Sequence, residues 1–239
     1  MEKYSIIYTK SYKQVLFSIR FIFVAFKAIK LIFSDIKRSL NFSQTFYRSI
    51  IHFFFCIFGE LKNYMEEENV ILVNQNDEQI GLMPKMEAHQ KAVLHRAFSV
   101  FVLNDKNEIM LQQRASQKYH SPLLWTNTCC SHQRNGETNI QAGSRRLFEE
   151  MGFETGLKEL FHFIYKAPFD NGLTEHELDH VMIGYYSGEP KINPEEVESW
   201  KWMSIEDVAK DIQLQPEIYT VWFKIIFDEF YHFLEDHKI

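Results

Sequence analysis

The segment Trp125–Phe153 constrains the fold more than any other part of the chain, because its second half predicts one well-defined helix. Thr138 and Gln141 have the spacing of a capping box, which satisfies backbone N–H groups where a helix begins. Gly152 can end a helix in the left-handed conformation that most other residues avoid. We therefore expect a helix between Thr138 and Gly152.

Charged residues on this helix indicate a phosphate site. Arg146 and Glu150 are four residues apart and share one face of the helix, and Glu149 is the residue next to Glu150. A carboxylate holds a hard cation such as Mg²⁺ and a guanidinium meets phosphate oxygens, so the pair suits a magnesium-bound phosphate. An exposed, salt-bridged helix without a ligand is the competing interpretation.

Length and charge divide the chain unevenly. Its 239 residues suit one large domain, or one domain with an appendage. Residues 1–64 carry ten Lys/Arg and three Asp/Glu, whereas residues 65–239 carry sixteen and twenty-nine. The acidic body argues against a nucleic-acid partner.

Three cysteines, two of them adjacent, do not form a disulfide framework, so we expect a cytoplasmic protein.

Residues 1–64 form a basic, Phe-rich extension, with eleven of the 22 Phe. Charged residues interrupt its apolar runs, so it contains no apolar stretch of the roughly twenty residues that a spanning helix needs. Three interpretations remain open: basic amphipathic helices on a membrane surface, helices packed on the body, or a segment outside the functional protein. The third is favoured, because Met65 is a plausible start just before the first strand. In the first two cases the extension is helical, and otherwise we expect it to be disordered.

The body, residues 65–239, predicts an α+β domain. Short apolar runs bounded by turn residues predict strands, and these surround helices without regular βαβ alternation. Residues 85–95 are expected to be a connecting segment, and an apolar stripe predicts a last helix. The expected strands are 70–73, 80–83, 97–103, 108–113, 160–165, 175–186 and 195–203, and the last helix is 217–234.

Five residues are of metal-ligand type: His89, His95, His132, Glu175 and Glu177. In a strand the two glutamates point to the same face, because side chains alternate with a period of two. Three imidazoles and two carboxylates suit an octahedral divalent ion such as Mn²⁺ or Mg²⁺. Nothing in the sequence alone brings the five together, and a lone His is more often an ordinary surface or core residue.

Cys130 is a candidate for proton transfer. A thiol near cationic groups can have a lowered pKa and exchange a proton at neutral pH. The alternative is that it is a small buried hydrophobic residue, which is the interpretation favoured for Cys129.

The helix segment resembles a Nudix box, whose pattern is G-x5-E-x7-R-E-U-x-E-E-x-G-U with U an aliphatic residue. Glu137 and Arg145 fall on the upstream Glu and the Arg of that pattern. Ser131 stands where the first Gly belongs, and Arg146 replaces the first helical Glu. Losing one carboxylate weakens the magnesium cluster that Nudix hydrolases use, which argues against hydrolysis.

With these departures, the chain resembles the type I isopentenyl-diphosphate isomerases. The most specific motifs of the resemblance are TNTCCSH at 126–132 and TEHELDH at 174–180. The resemblance covers about residues 69–230. It implies a Nudix-type mixed β-sheet between helices, and isomerisation of isopentenyl diphosphate to dimethylallyl diphosphate by protonation and deprotonation.

The resemblance also implies roles for particular residues. Cys130 and Glu177 would lie on opposite faces of the double bond, with Tyr165 beside Glu177. Glu150 would hold Mg²⁺ on the diphosphate, and Trp222 would lie against the isoprenyl carbons. One divalent ion (Mn²⁺, Mg²⁺ or Zn²⁺) would be bound by His89, His95, His132, Glu175 and Glu177. The diphosphate oxygens would be contacted by Lys85, Arg114, Lys118 and Arg146.

Two other functions compete with this hypothesis: a Nudix hydrolase of a nucleoside or sugar diphosphate, and a non-catalytic Nudix-like scaffold. The expected partner is an isoprenyl diphosphate, with membrane contact only if the extension belongs to the functional protein. We expect a monomer.

Overall fold

The structure is a computed structural model that describes residues 68–118, 120–169 and 172–237. The predicted extension 1–64 lies outside these residues, and the domain boundary at residue 65 stays a prediction. Among the described helices, none is both long enough and apolar enough to cross a membrane. In chain order the elements are β1 Asn69–Val73, β2 Gln79–Pro84, α1 Lys85–Lys91, β3 His95–Leu103, β4 Glu108–Arg114, β5 Trp125–Thr126, β6 Cys129–Ser131, α2 Asn139–Met151, β7 Lys158–Pro168, β8 Thr174–Tyr185, β9 Val197–Ser204, α3 Ile205–Leu214, a 3₁₀ turn Pro216–Ile218 and α4 Val221–His237.

Strand β3 is the centre of a mixed sheet. It pairs with β8 in parallel along its whole length, from His95 opposite Glu177 to Leu103 opposite Tyr185. Its other edge pairs in turn with β1, β6 and β4, all antiparallel. Strand β7 pairs with β8, and β9 pairs with β4. The predicted α+β class with a mixed sheet is therefore confirmed.

Strands β3 and β4 separate after the pair Leu103–Ile109, and the segment of β5 and β6 lies between them. Thr128 connects the separated strands: its Oγ1 accepts from Val102 N at 3.0 Å and donates to Met110 O at 2.6 Å. Asn127 is also fully buried and donates to Val100 O and Cys129 O. These buried hydrogen bonds fix the segment that carries the cysteine pair.

The two faces of the sheet carry different helices. On one face, α4 packs against β3 and β8, with Phe101 and Phe230 stacked at a centroid distance of 4.0 Å. On the other, Leu147 and Met151 of α2 pack against Phe98. The sheet therefore lies between helices on its two faces, as the resemblance implied.

Helix α2 begins and ends where the sequence predicts. The Thr138 side chain accepts from Gln141 N, and the Gln141 side chain accepts from Thr138 N, which completes the capping box. Gly152 has φ +70°, and a Cβ there would lie 2.3 Å from Lys191 O, so only glycine fits.

Two local predictions were wrong. The expected connection at 85–95 contains the helix α1 and the first residue of β3. Helix α1 has no side-chain cap at Pro84 and spans only seven residues, so it lacked the usual signals. The helix predicted for 217–234 begins at Val221, after a separate 3₁₀ turn.

Candidate active site

A cavity of about 260 Å³ is lined by every predicted site residue except His95. His95 lies behind the lining and is fully buried. The site is therefore one pocket, although its residues come from widely separated parts of the chain.

Four of the five predicted metal ligands form one group. Helix α1 supplies His89, β3 supplies His95, the residue after β6 is His132, and β8 supplies Glu177. One potential ligand atom from each lies within 4.8 Å of the others. Oε1 of Glu177 lies 3.2 Å from Nε2 of His132 and 3.4 Å from Nε2 of His95. The four residues are therefore close enough to bind one ion together.

The protonation of the imidazoles suits a metal. Nδ1 of His95 lies 2.8 Å from Val93 O and donates to it, which orients Nε2 toward Oε1 of Glu177, 3.4 Å away. Burial lowers the pKa of His89 to about 3 and also lowers the pKa of His132. Burial opposes the charge of Glu177, but hydrogen bonds from His132 and His95 outweigh it and lower its pKa. Neutral imidazoles at His89 and His132, with an ionised carboxylate at Glu177, are donors that suit a divalent cation.

Tyr165 and Glu175 adjoin this group. The Tyr165 hydroxyl lies 2.7 Å from Oε2 of Glu177 and 3.1 Å from Oε2 of Glu175. Burial, and then the charge of Glu177, raise the pKa of Glu175 well above its usual value. Burial also raises the pKa of Tyr165. Glu175 lies outside the four-residue group, so its place as a fifth ligand stays a prediction.

Cys130 and Glu177 project from the same face of the sheet. Cys130 is paired with Ser99 and Glu177 with His95, and these two β3 residues are four apart, so they share a face. Cys129 points the other way, into the core under α2, as expected for a small buried hydrophobic residue. The predicted lowering of the Cys130 pKa was wrong: burial outweighs the cationic Arg114 and raises it to about 12.

The predicted diphosphate contacts Arg146 and Lys118 are paired with carboxylates that line the pocket. Arg146 donates to Oε1 of Glu150 at 2.6 Å, and Gln112 donates to Oε2 at 2.9 Å. Glu196 lies 3.3 Å from Arg146 and forms an ion pair with Lys118 as well. Sequence reasoning missed Gln112 and Glu196, because both lie in runs that predict only strand or loop.

The chain is similar to known proteins over most of the described residues. A NUDIX domain model matches residues 93–223. Isopentenyl-diphosphate Delta-isomerase 2 of Aromatoleum aromaticum is 46% identical over 162 residues, which cover 68% of this chain and 86% of the relative. Isopentenyl-diphosphate Delta-isomerase 2 of Photorhabdus laumondii is 49% identical over 67% of this chain and 90% of its own length. The chain belongs to the isopentenyl-diphosphate Delta-isomerases.

Solved structures agree on the fold of this isomerase. A Deinococcus radiodurans protein matches with a TM-score of 0.57 at 20% identity, over 68% of this chain and 98% of its own. The MutT protein of Methanosarcina mazei matches with a TM-score of 0.50 at 16% identity, over 61% of this chain and 96% of its own. These matches support the Nudix fold.

The motif residues of the Nudix box are divided between two roles in this isomerase. Arg145 donates to both carboxylate oxygens of Glu137, at 2.7 and 2.9 Å, and so joins the loop before α2 to the helix. Its neighbour Arg146 lines the pocket instead. Both positions that depart from the hydrolase pattern, Ser131 and Arg146, therefore line the pocket.

The Trp222 ring forms an aromatic part of the lining of the isomerase pocket. Trp222 is held by a hydrogen bond from its Nε1 to Thr126 Oγ1 at 3.1 Å. The rings of His120 and Phe169 meet it edge to face, and the Arg114 guanidinium lies 5.0 Å from its centroid. The remaining predicted cation, Lys85, lies 3.3 Å from Glu68.

Proposed function

We propose that this protein isomerises isopentenyl diphosphate to dimethylallyl diphosphate by adding a proton at C4 and removing one from C2. One observation carries the proposal: a single pocket contains Cys130 and Glu177 on the same face of the sheet. Basic side chains of the kind that bind phosphate line the same pocket. Membership of the isomerase family agrees with this reaction.

The group of His89, His95, His132 and Glu177 fits one divalent ion, and Glu175 is proposed as a further ligand. Mn²⁺, Mg²⁺ or Zn²⁺ would each accept imidazole and carboxylate donors. When bound, such an ion would supply positive charge that holds the carboxylates in place and makes a group beside them a stronger proton donor. We further propose that Glu150 holds Mg²⁺ with the diphosphate.

Proton transfer is assigned to two groups. Tyr165 keeps its proton and reaches both carboxylates, so the side of Tyr165 and Glu177 can pass a proton to the alkene or take one back. Burial holds Cys130 as a thiol, so on the other side of the substrate it can give a proton to the alkene while the ionised Glu177 accepts one, and the resulting thiolate takes its proton back in the reverse direction. Because the reaction is reversible, the donor in one direction is the acceptor in the other.

The pocket protects the cation that forms between the two steps. Protonation at C4 creates a tertiary carbocation, which water would capture as an alcohol. The buried Trp222 ring can stabilise it by its electron-rich face. Lys85, Arg114, Lys118 and Arg146 are proposed to contact the diphosphate, whose binding energy then holds the reacting carbons in place.

Proton exchange in deuterated water tests the proposal. The wild type should incorporate deuterium into both isomers, and Cys130→Ala and Glu177→Gln should each lose this exchange, whereas Cys129→Ala should keep it. Undiminished exchange in either of the first two variants would contradict the assigned pair. Phosphate release without isomer formation would instead identify a hydrolase.

Three further expectations stay predictions: a monomer, a cytoplasmic location and no nucleic-acid partner. Light scattering of the full chain measures the first, fractionation of the native cell the second, and a nucleic-acid shift assay the third.

A further inference from the structure

A second group of metal-ligand residues lies on the opposite side of the sheet from the candidate active site. It consists of Glu159 and His162 on β7 and His180 on β8, with one potential ligand atom from each within 4.8 Å of the others. His180 is paired with Phe98, which packs under α2. His95 and Glu177 of the first metal group are each three residues from this pair, so their side chains point to the other face of the sheet. This group therefore cannot share an ion with the first site.

A β-bulge creates the group. His162 and His180 are direct cross-strand partners and share a face. Glu159 is three residues before His162, so in a regular strand it would point to the other face. The register shifts between Glu159 and Phe161, and Glu159 is paired with Met182, which lies on the His180 face. A bulge that re-aims one side chain is often found beside a functional site.

His180 is held between two carboxylates. Its side chain is 4% exposed, and Nδ1 lies 2.6 Å from Oε1 of Glu159. Nε2 lies 3.1 Å from Oδ2 of Asp77, yet among the described residues it has no aligned hydrogen-bond partner. Asp77 is fixed in turn by Arg96, which donates to its side chain and to its carbonyl, both at 2.7 Å. His180 is thus a buried imidazole with a carboxylate beside each ring nitrogen, and this negative charge favours a cation.

We propose that Glu159, His162 and His180 bind a divalent ion of the zinc class. Two imidazoles and one carboxylate are the three protein ligands of many open zinc sites, where water takes the fourth position. Nitrogen donors favour Zn²⁺ over Mg²⁺ or Ca²⁺. The exposed His162 and Glu159 give the ion a path from solvent to the buried His180. The bound ion joins β7 to β8, and through Asp77 these strands connect to the turn between β1 and β2.

Counting bound zinc on the full-length protein tests this site. After dialysis against Zn²⁺ at fixed free concentration, the wild type should retain one more zinc per chain than His162→Ala. Glu159→Gln should lose the same zinc, and it decides the matter if His162→Ala does not fold. Because neither residue lines the catalytic pocket, both variants should keep the wild-type isomerisation rate in Mg²⁺.

His232→Ala is the matched control. His232 is an exposed histidine that also lies near two carboxylates, 3.8 Å from Asp228 and 3.6 Å from Glu235, on one face of α4. This variant should bind as much zinc as the wild type. Equal zinc in the wild type and His162→Ala, or an equal loss in His232→Ala, would overturn the proposal.

Discussion

Tyr165 and Glu177 face each other across two antiparallel strands, with the hydroxyl oxygen of one 2.7 Å from a carboxylate oxygen of the other. Replacing Tyr165 by Phe keeps the ring and removes only this donor. We expect kcat to fall by about 10²-fold, the lower range for acid–base groups, with KM little changed. Tyr186→Phe is the control, since that hydroxyl donates to Glu189 O outside the pocket. Equal kcat in the two variants would contradict the role of Tyr165.

The adjacent cysteines form a natural pair of test sites. Cys130→Ala should lower kcat by at least about 10²-fold and leave stability close to that of the wild type. Cys129→Ala should show the reverse, with activity kept and the free energy of unfolding reduced by about 1 kcal/mol, because Cys129 is fully buried in the core under α2. Steady-state kinetics and urea unfolding measure both. Loss of activity in both variants at equal stability would argue against a specific proton-transfer role.

Glu196 neutralises two of the proposed diphosphate contacts. Glu196→Gln removes a carboxylate that contacts both Lys118 and Arg146, so we expect KM for the diphosphate substrate to fall about fivefold, corresponding to an ion-pair contribution of about 1 kcal/mol. The kcat value should stay within about twofold, well below the change expected for an acid–base group. Glu154→Gln, at an exposed carboxylate that does not line the pocket, is the control. A rise in KM would show that Glu196 assists binding, for example as a ligand of Mg²⁺.

His120 makes stability depend on pH. Burial and the nearby Arg114 lower the pKa of His120 from 6.5 to about 3, so the folded state disfavours its protonation. Its contribution to stability is therefore complete above pH 6.5 and is lost as the pH falls toward 3. His120→Gln should make this pH dependence shallower by up to about 1.4 kcal/mol per pH unit in that window.

Urea unfolding at several pH values, in the presence of a chelator, measures the change. His232→Gln should keep the wild-type dependence, because that side chain is 66% exposed. An unchanged slope in His120→Gln would mean that the histidine is protonated equally in the folded and unfolded chains.

Local signals in the sequence were sufficient for several elements. The capping box at Thr138 and the left-handed Gly152 fixed both ends of α2, since each acts through residues within one helical turn. The alternating strands were recognised for the same reason. The short helix α1 was missed because Pro84 provides no side-chain cap.

Long-range relationships could not be predicted from local patterns. No local pattern specifies that β3 pairs with β8 in parallel, so the sequence alone did not bring His95 to Glu177. The resemblance to a family supplied that group. Two further features depend on neighbours that are distant in the chain: the bulge at Glu159 and the ion pair of Glu196 with Lys118. No local sequence pattern predicted either of them.

The parallel pairing of β3 with β8 also determines when the metal group can exist. Strands β3 and β8 are separated in the chain by β4, β5, β6, α2 and β7. Strand pairings with such long sequence separation form slowly during folding. His95 and Glu177 meet only when this pairing is complete, so a nascent chain released before β8 cannot assemble the group. Tight binding of a metal ion at these residues therefore reports that the sheet has finished folding.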